Sequence, residues 1–473
     1  MFRTKAWRSD PARKPQTIRP CVEELEARIV PFVVTGNAWP NPQLITISFV
    51  PDGTVIGYNQ NGPITSTLFQ DFNARFGSTA AWQKQIELAA QAWAAATNIN
   101  FSVVADDGVD LGTITGDYEQ GDPNIGDIRI AGFQDTGASY LAQAFQPPPA
   151  NDYSIAGDMW FNTSQPFHIG TTYDLFTVAA HEIGHALGMD HSAVSSAIMA
   201  PVYPGTRTGL TSDDTAGIES IYSGGNPRSY DTYNSGSTHN NSFANAASFT
   251  VDSSSLTAQL TGLDITKVGM NEYFKFVAPA GSRTLNLSIQ SSGLSLLSPR
   301  VWVYNGGENQ IAHKSAASTY GATLNLTVTG ITAGKTYYIK VNGSESTVLG
   351  TGAYALSLSL GSNPVPAVTL PSTLMPNGNP ITSGGSTAEA DGDQYGRQQT
   401  VVEVPGQIAQ QAFAMLDFTT AYLLTHEAWA LPSVPGAIEV PHIKTEQSAT
   451  TEKTDDADSD EIATDVVGSV LGK

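Results

Sequence analysis

Three of the eight histidines in this 473-residue chain fall within eleven positions, in the run His181-Glu182-Ile183-Gly184-His185-Ala186-Leu187-Gly188-Met189-Asp190-His191. No other feature restricts the fold so tightly. Residues 173–187 carry Leu175, Phe176, Val178, Ala179, Ile183, Ala186 and Leu187 at helical spacing, which predicts a helix. On that helix His181 and His185 stand four positions apart, so their imidazoles point the same way one turn apart. Gly188 permits the positive φ that ends a helix, and the returning chain can bring His191 to the same point. Three such nitrogens can hold one Zn²⁺ while leaving a position for water, the open coordination of catalytic rather than structural zinc. Glu182, beside the first ligand, is the candidate to take a proton from that water and pass it to a leaving amine.

Composition limits the partners. Forty-four acids against 23 bases give a net charge of −21, which argues against nucleic acid, because phosphate binding needs clustered Lys and Arg. Charged residues are only 14% of the chain, while glycine (44) and proline (27) are plentiful. That mixture reads as extracellular or cell-surface, loop-rich and β-rich, and argues against a helical bundle or a coiled coil. The single cysteine, Cys21, allows no intramolecular disulfide and no Cys-rich zinc module. No apolar run approaches the ~18–20 residues of a membrane span, and none resembles the apolar core of an ordinary signal peptide. A secreted monomer is the expectation.

Changes of pattern divide the chain at 1–34, 35–224, 225–242, 243–361 and 362–473. The first segment is a basic leader or propeptide-like arm; residues 22–31 resemble a short leader motif of exported bacterial proteins. Within 35–224, strands are expected at 44–50 (half-buried by its alternation), 100–104 and 127–130, and a helix at 80–96. A last short helix opens on an acidic N-cap pair, Asp213-Asp214. Residues 225–242 read as a Gly/Asn/Ser linker. From 243 to 361, short alternating strands at 273–277, 284–290, 301–304, 323–328, 337–341 and 354–360 predict a β-sandwich. Residues 362–473 read as a low-complexity, mostly disordered acidic tail, with one helix-like stretch at 407–431. The expected fold class is therefore multidomain: an α+β domain with a mixed sheet, an all-β sandwich and a disordered tail.

The histidine run fits HExxHxxGxxH, and Ala197-Ile198-Met199-Ala200-Pro201 follows it as a methionine turn would. Together they resemble the metzincin metallopeptidases. Val178-Ala179-Ala180, Ser192, Pro201-Val202-Tyr203 and Leu210-Thr211-Ser212-Asp213-Asp214 resemble the matrixin (matrix metalloproteinase-like) branch, over roughly residues 37–223. The resemblance implies a metzincin-like fold, a twisted mixed sheet with an active-site helix. It also implies a zinc-dependent endopeptidase acting on protein or peptide substrates, with Met199 as a floor beneath the zinc ligands. By the same resemblance, Pro201 and Tyr203 bound the primary substrate pocket, and Leu141-Ala142-Gln143-Ala144-Phe145 is the edge strand that pairs with substrate. Leu141 and Ala142 are thus candidate substrate-binding residues.

Departures from the family carry their own expectations. Gln143 and Trp160 stand where the family has structural-zinc histidines, so a second zinc is not expected. Asp127, Asp135 and Asp158 sit at family calcium positions and are candidate Ca²⁺ ligands, although Asn162 and Gln165 replace two carboxylates. Cys21 precedes Trp39 by about the spacing of an inhibitory propeptide cysteine, but Arg19-Pro20-Cys21-Val22-Glu23 does not match that motif, and an incidental thiol is the expectation. Residues 271–276, 334–339 and 352–356 resemble the bacterial pre-peptidase C-terminal domain, which implies no catalysis of its own. The rival reading is a non-catalytic extracellular binding or adhesion protein with a stabilising metal site. Glu182, which structural zinc does not need, weighs against it.

Overall fold

The alternating run at 44–50 forms β2 (Ile45–Phe49), and it is the strand around which the first domain is built. A computed structural model describes residues 32–371, apart from 60–61, 111–119, 139, 152–153, 235–238, 282–283 and 317, together with the backbone of 427–430. All of these lie in the first of the chain's two units, Met1–Pro432. Cys21, the leader motif and most of the acidic tail lie outside the described residues.

Around β2, the elements in chain order are β1 (Val33–Val34), the hairpin β3 (Val55–Asn59) and β4 (Gly62–Thr65), α1 (Leu68–Phe76), α2 (Thr79–Ala96) and β5 (Phe101–Val103). There follow β6 (Ile128–Phe133), β7 (Tyr140–Ala144), β8 (Met159–Asn162), α3 (Leu175–Ala186), β9 (Met189–Asp190) and α4 (Ser212–Tyr222). The main sheet runs β7-β8-β6-β2-β5. Its β2–β5, β2–β6 and β6–β8 pairs are parallel and β7–β8 is antiparallel, so the sheet is mixed as expected.

Two local expectations are corrected. β2 is buried along its whole length rather than on one face. It lies inside the sheet, and its polar residues are satisfied there: Ser48 Oγ donates to Asp106 (2.7 Å), and the Asp127 backbone N–H donates to Thr46 Oγ1 (2.9 Å). The cap of α4 is Thr211, not the acidic pair. Thr211 and Asp214 form a capping box, each side chain accepting from the other's backbone N–H.

Packing fixes the helices against the sheet. Trp82, Trp93, Phe72, Phe161 and Phe167 are fully buried, with Phe72 meeting Trp82 and Phe167 edge-on at centroid distances of 5.7 Å. Trp93 on α2 donates its indole N–H to the Ala180 carbonyl of α3 (2.9 Å). Among the described residues this ties the helix expected at 80–96 directly to the helix that carries the histidines.

The β-rich region that follows contains β10 (Ala247–Ser248), β11 (Thr257–Ile265), β12 (Glu272–Val277), β13 (Thr284–Gln290), β14 (Pro299–Asn305), β15 (Gln310–Ser315), β16 (Thr323–Thr329), β17 (Thr336–Gly343) and β18 (Gly352–Leu360). They form sheets β10-β12-β17-β14-β15 and β11-β18-β13-β16, which pack apolar faces into one core. The pattern of the sequence missed β11, because a register shift between Leu260 and Leu263 interrupts its alternation. It missed β15 because that edge strand buries none of its residues.

The linker at 225–242 is not a slack tether. Arg228 is buried, and its guanidinium donates to the carbonyls of Ala94 (2.9 Å), Thr97 (3.1 Å) and Ile99 (2.7 Å) at the end of α2. It also grips Asp264 of β11 through Nε (2.9 Å) and Nη2 (2.5 Å). One side chain thus joins the end of α2 to the sandwich. Gln91 adds a bond from α2 to the Thr351 carbonyl (3.1 Å). Arg228→Ala strands a mostly buried carboxylate and three carbonyls, and is expected to cost about 3 kcal/mol. Chemical denaturation of the full chain measures this; an unchanged midpoint contradicts the role given to the latch.

Candidate metal centre

The apolar spacing of 173–187 folds as α3, and every residue of the helix is buried. Asp174 caps it, accepting from the Thr177 backbone N–H (3.0 Å). Beyond Ala186 the chain leaves the helix through Gly188 at φ +94°, where a Cβ would lie 2.1 Å from the Asn37 carbonyl oxygen. Only glycine fits both the conformation and the space. The return, as β9, places His191 against the two helical histidines. Ring centroids are 4.7 Å apart for His181–His185, 5.3 Å for His181–His191 and 4.9 Å for His185–His191. One nitrogen from each ring lies within 4.8 Å of the other two.

Hydrogen bonding fixes which nitrogens converge. His181 Nδ1 is 2.8 Å from the Ile198 carbonyl and His185 Nδ1 is 3.0 Å from the Met189 carbonyl. A carbonyl only accepts, so each Nδ1 carries the proton and each Nε2 presents a lone pair. The two Nε2 atoms lie 3.1 Å apart in a fully buried site. Two lone pairs facing each other in that setting repel unless a cation lies between them. The donor set therefore fits zinc. Burial, reinforced by the neighbouring rings, holds His181 well below its ordinary pKa and takes His185 down to about 4; burial also lowers His191. All three rings are neutral at pH 7, the state in which imidazole binds a metal.

The surroundings are built to hold this geometry. Met199 is fully buried and packs on Gly184, the residue before His185; a Cβ at Gly184 would lie 2.3 Å from its sulfur. Asp214 of α4 accepts from the backbone N–H groups of Ile198 (2.9 Å) and Met199 (3.0 Å), anchoring the turn that supplies the acceptor for His181. Ser192 donates to the neighbouring Asp213 (2.6 Å). The tail of α3 is held too, by Trp39 Nε1 on the Ala186 carbonyl (2.8 Å) and Tyr222 Oη on the Leu187 carbonyl (2.9 Å). In the sequence, Asp213 and Asp214 mark a helix start within the matrixin-like run, and nothing there marks a task for Asp174. The Thr-x-x-Asp spacing at 211–214 was the signal that an extra carboxylate faced inward.

Glu182 is fully buried within the same turn of α3. Leu141 and Ala142 lie on β7, buried, at the side of the sheet away from β5. Tyr203 is mostly buried, stacks obliquely on Tyr173 at 5.6 Å and accepts from the Asp174 backbone N–H (3.0 Å), while Pro201 is exposed. Gln143 and Trp160 stand opposite each other on β7 and β8, and Trp160 packs edge-on against Phe145.

The three aspartates expected at calcium positions are employed separately. Asp127 accepts from the backbone N–H groups of Thr46 (2.7 Å) and Gly121 (2.6 Å), and Asp135 from the Tyr140 hydroxyl (3.2 Å). Asp158 accepts from the Arg129 backbone N–H (2.9 Å), and burial pushes its carboxyl well above the usual range. Among the described residues the histidine triad is the only group of three or more His, Cys, Asp or Glu side chains with ligand atoms so close together. Asp127, Asp135 and Asp158 are not gathered into one cation site.

Residues 59–223 match the family described as matrixin. Over 110 residues the chain is 43% identical to karilysin of Tannerella forsythia, covering 21% of this chain and 23% of that protein. It is 33% identical over 199 residues to the hatching enzyme of Paracentrotus lividus, covering 41% and 28% respectively. It is 35% identical over 149 residues to human matrix metalloproteinase-20, covering 31% and 28%. The chain thus spans about a quarter of the length of these relatives.

Gly188→Ala tests the return that delivers His191. It is expected to cost at least about 1–2 kcal/mol from the left-handed backbone alone and to weaken zinc retention. Denaturation and metal analysis of the variant read both effects; wild-type values for both contradict this role of the turn.

Proposed function

Because residues 59–223 match the matrixin family, we propose that the chain is a secreted zinc-dependent endopeptidase. His181 and His185, through Nε2, and His191 are the residues that would hold the zinc. When bound, the ion supplies Lewis acidity, lowering the pKa of a coordinated water toward neutrality and polarising the scissile carbonyl. The rest is the work of the chain. The Glu182 carboxylate accepts the proton of the attacking water and delivers it to the nitrogen of the leaving amine. The burial of that carboxylate excludes bulk water from the transfer. α3 holds the acid–base group and two of the three ligands, His181 and His185, in one rigid element, so little reorganisation accompanies the reaction.

A peptide substrate adds antiparallel to the edge of β7, taking backbone hydrogen bonds that do not depend on its side chains. Tyr203 and Pro201 bound the pocket for the residue after the scissile bond. The buried hydroxyl contact of Tyr203 with the start of α3 supports this by fixing the ring. The sandwich serves as an accessory domain without catalysis. Secretion is supported by the low charge content, the glycine-rich loops and the net charge of −21.

One observation carries the proposal: two buried Nε2 atoms 3.1 Å apart, each with its Nδ1 proton committed to a carbonyl. Glu182→Ala is expected to lower casein or peptide hydrolysis by about 10²–10⁴-fold, the range of a lost general acid–base group, with zinc content unchanged. Undiminished hydrolysis by this variant, or by protein stripped with a chelator, overturns it.

A further inference from the structure

The stretch 407–431 was expected to be helical, yet its described part is a strand. β19 (Glu427–Ala430) pairs antiparallel with β7, setting Glu427 opposite Ala144, Ala428 opposite Gln143 and Ala430 opposite Tyr140. The register shifts once, between Ala428 and Ala430. With β19 in place the main sheet reads β19-β7-β8-β6-β2-β5, so this short strand covers the edge that β7 would otherwise present. An uncovered edge offers a row of unpaired N–H and C=O groups, which accounts for a strand rather than a helix there: the partner supplies hydrogen bonds that a helix would have to make internally. Residues 372–426 separate β19 from the described part of the sandwich. A chain of that length can extend to roughly 180 Å, so connectivity alone does not force β19 onto β7.

The edge it occupies, and the antiparallel sense in which it does so, are those assigned above to a peptide substrate. We propose that residues 427–430 are the chain's own substrate strand, and that the enzyme hydrolyses itself within or directly beside this strand, releasing the acidic C-terminal residues. This rests on the peptidase reading above. In the reaction one water is consumed: its oxygen adds to the backbone carbonyl carbon and the C–N bond breaks. One product ends in a new carboxylate; the other keeps the nitrogen, which takes the proton and becomes a new N-terminal amine. No redox change is involved. Until the cut is made, the strand competes with any other peptide for β7.

Two measurements test this on the full-length chain. The first is intact mass after incubation of wild type, Glu182→Ala, and the double variant Ala428→Pro/Trp429→Pro, in which at least one of two adjacent residues loses an N–H donated to the ladder. Wild type is expected to shorten to a species ending at or within a few residues of 427–430. Glu182→Ala should keep its full length, and the double proline variant should hydrolyse casein while keeping its tail. The second is amide exchange at residues 140–144 in the Glu182→Ala background, expected to speed up about tenfold or more when the two prolines are added. A wild-type chain that digests casein but keeps its tail intact overturns the self-cleavage. Unchanged exchange at 140–144 overturns the docking of the strand. A chain that digests neither casein nor its tail overturns the peptidase reading, and the exchange result still decides the docking.

Discussion

The structure turns on two imidazole nitrogens that are forced to face each other. His181 and His185 are four residues apart on a buried helix, and each spends its Nδ1 proton on a carbonyl. Their Nε2 atoms are thereby turned toward one another, 3.1 Å apart in a buried site, beside His191. Each acceptor carbonyl comes from a different piece of chain: Ile198 from the methionine turn, Met189 from the return after the helix. The orientation of two side chains therefore depends on the path of two loops. Those loops in turn depend on Gly188, which passes within contact of Asn37, and on Asp214, which clamps Ile198 and Met199.

Much of this was legible in the sequence because it is periodic or local. The four-residue spacing of the helical histidines, the glycine after them and the third histidine specify a helix, a turn and a convergence with little help from elsewhere. The strands at 284–290 and 354–360 alternate cleanly, and both lie within the sandwich core. What the sequence hid is long-range or aperiodic. Arg228 looks like one base in a Gly/Asn/Ser run, and only the fold shows its guanidinium filling the end of α2 and gripping Asp264. β15 has no buried face to mark it, and β11 breaks its own alternation at a bulge. β19 was misread for a related reason: an edge strand owes its conformation to its partner's backbone, which leaves no trace in its own side-chain pattern.

α2 stands between the two halves of the described structure. Its last turn and the residues just after it give the carbonyls of Ala94, Thr97 and Ile99 to Arg228, while Trp93 bonds to the helix that carries the histidines. The sandwich is thus joined to the element that backs the site, and Arg228, within the segment expected to be a linker, is part of the joint. The acidic balance of 36–224, with four bases and nineteen acids, is absorbed in part by interior work. Asp127, Asp158, Asp174 and Asp214 each accept backbone N–H groups in buried positions. These four carboxylates serve as caps and clamps within the fold.

The central claim is that the three converging imidazoles hold one metal ion, and elemental analysis of the purified full-length chain tests it most directly. One zinc per chain is the result expected, falling to a small fraction of that in His185→Ala while Arg228→Ala retains it. A wild-type chain that carries no transition metal after purification in zinc-containing buffer, or a His185→Ala variant that keeps a full equivalent, contradicts it.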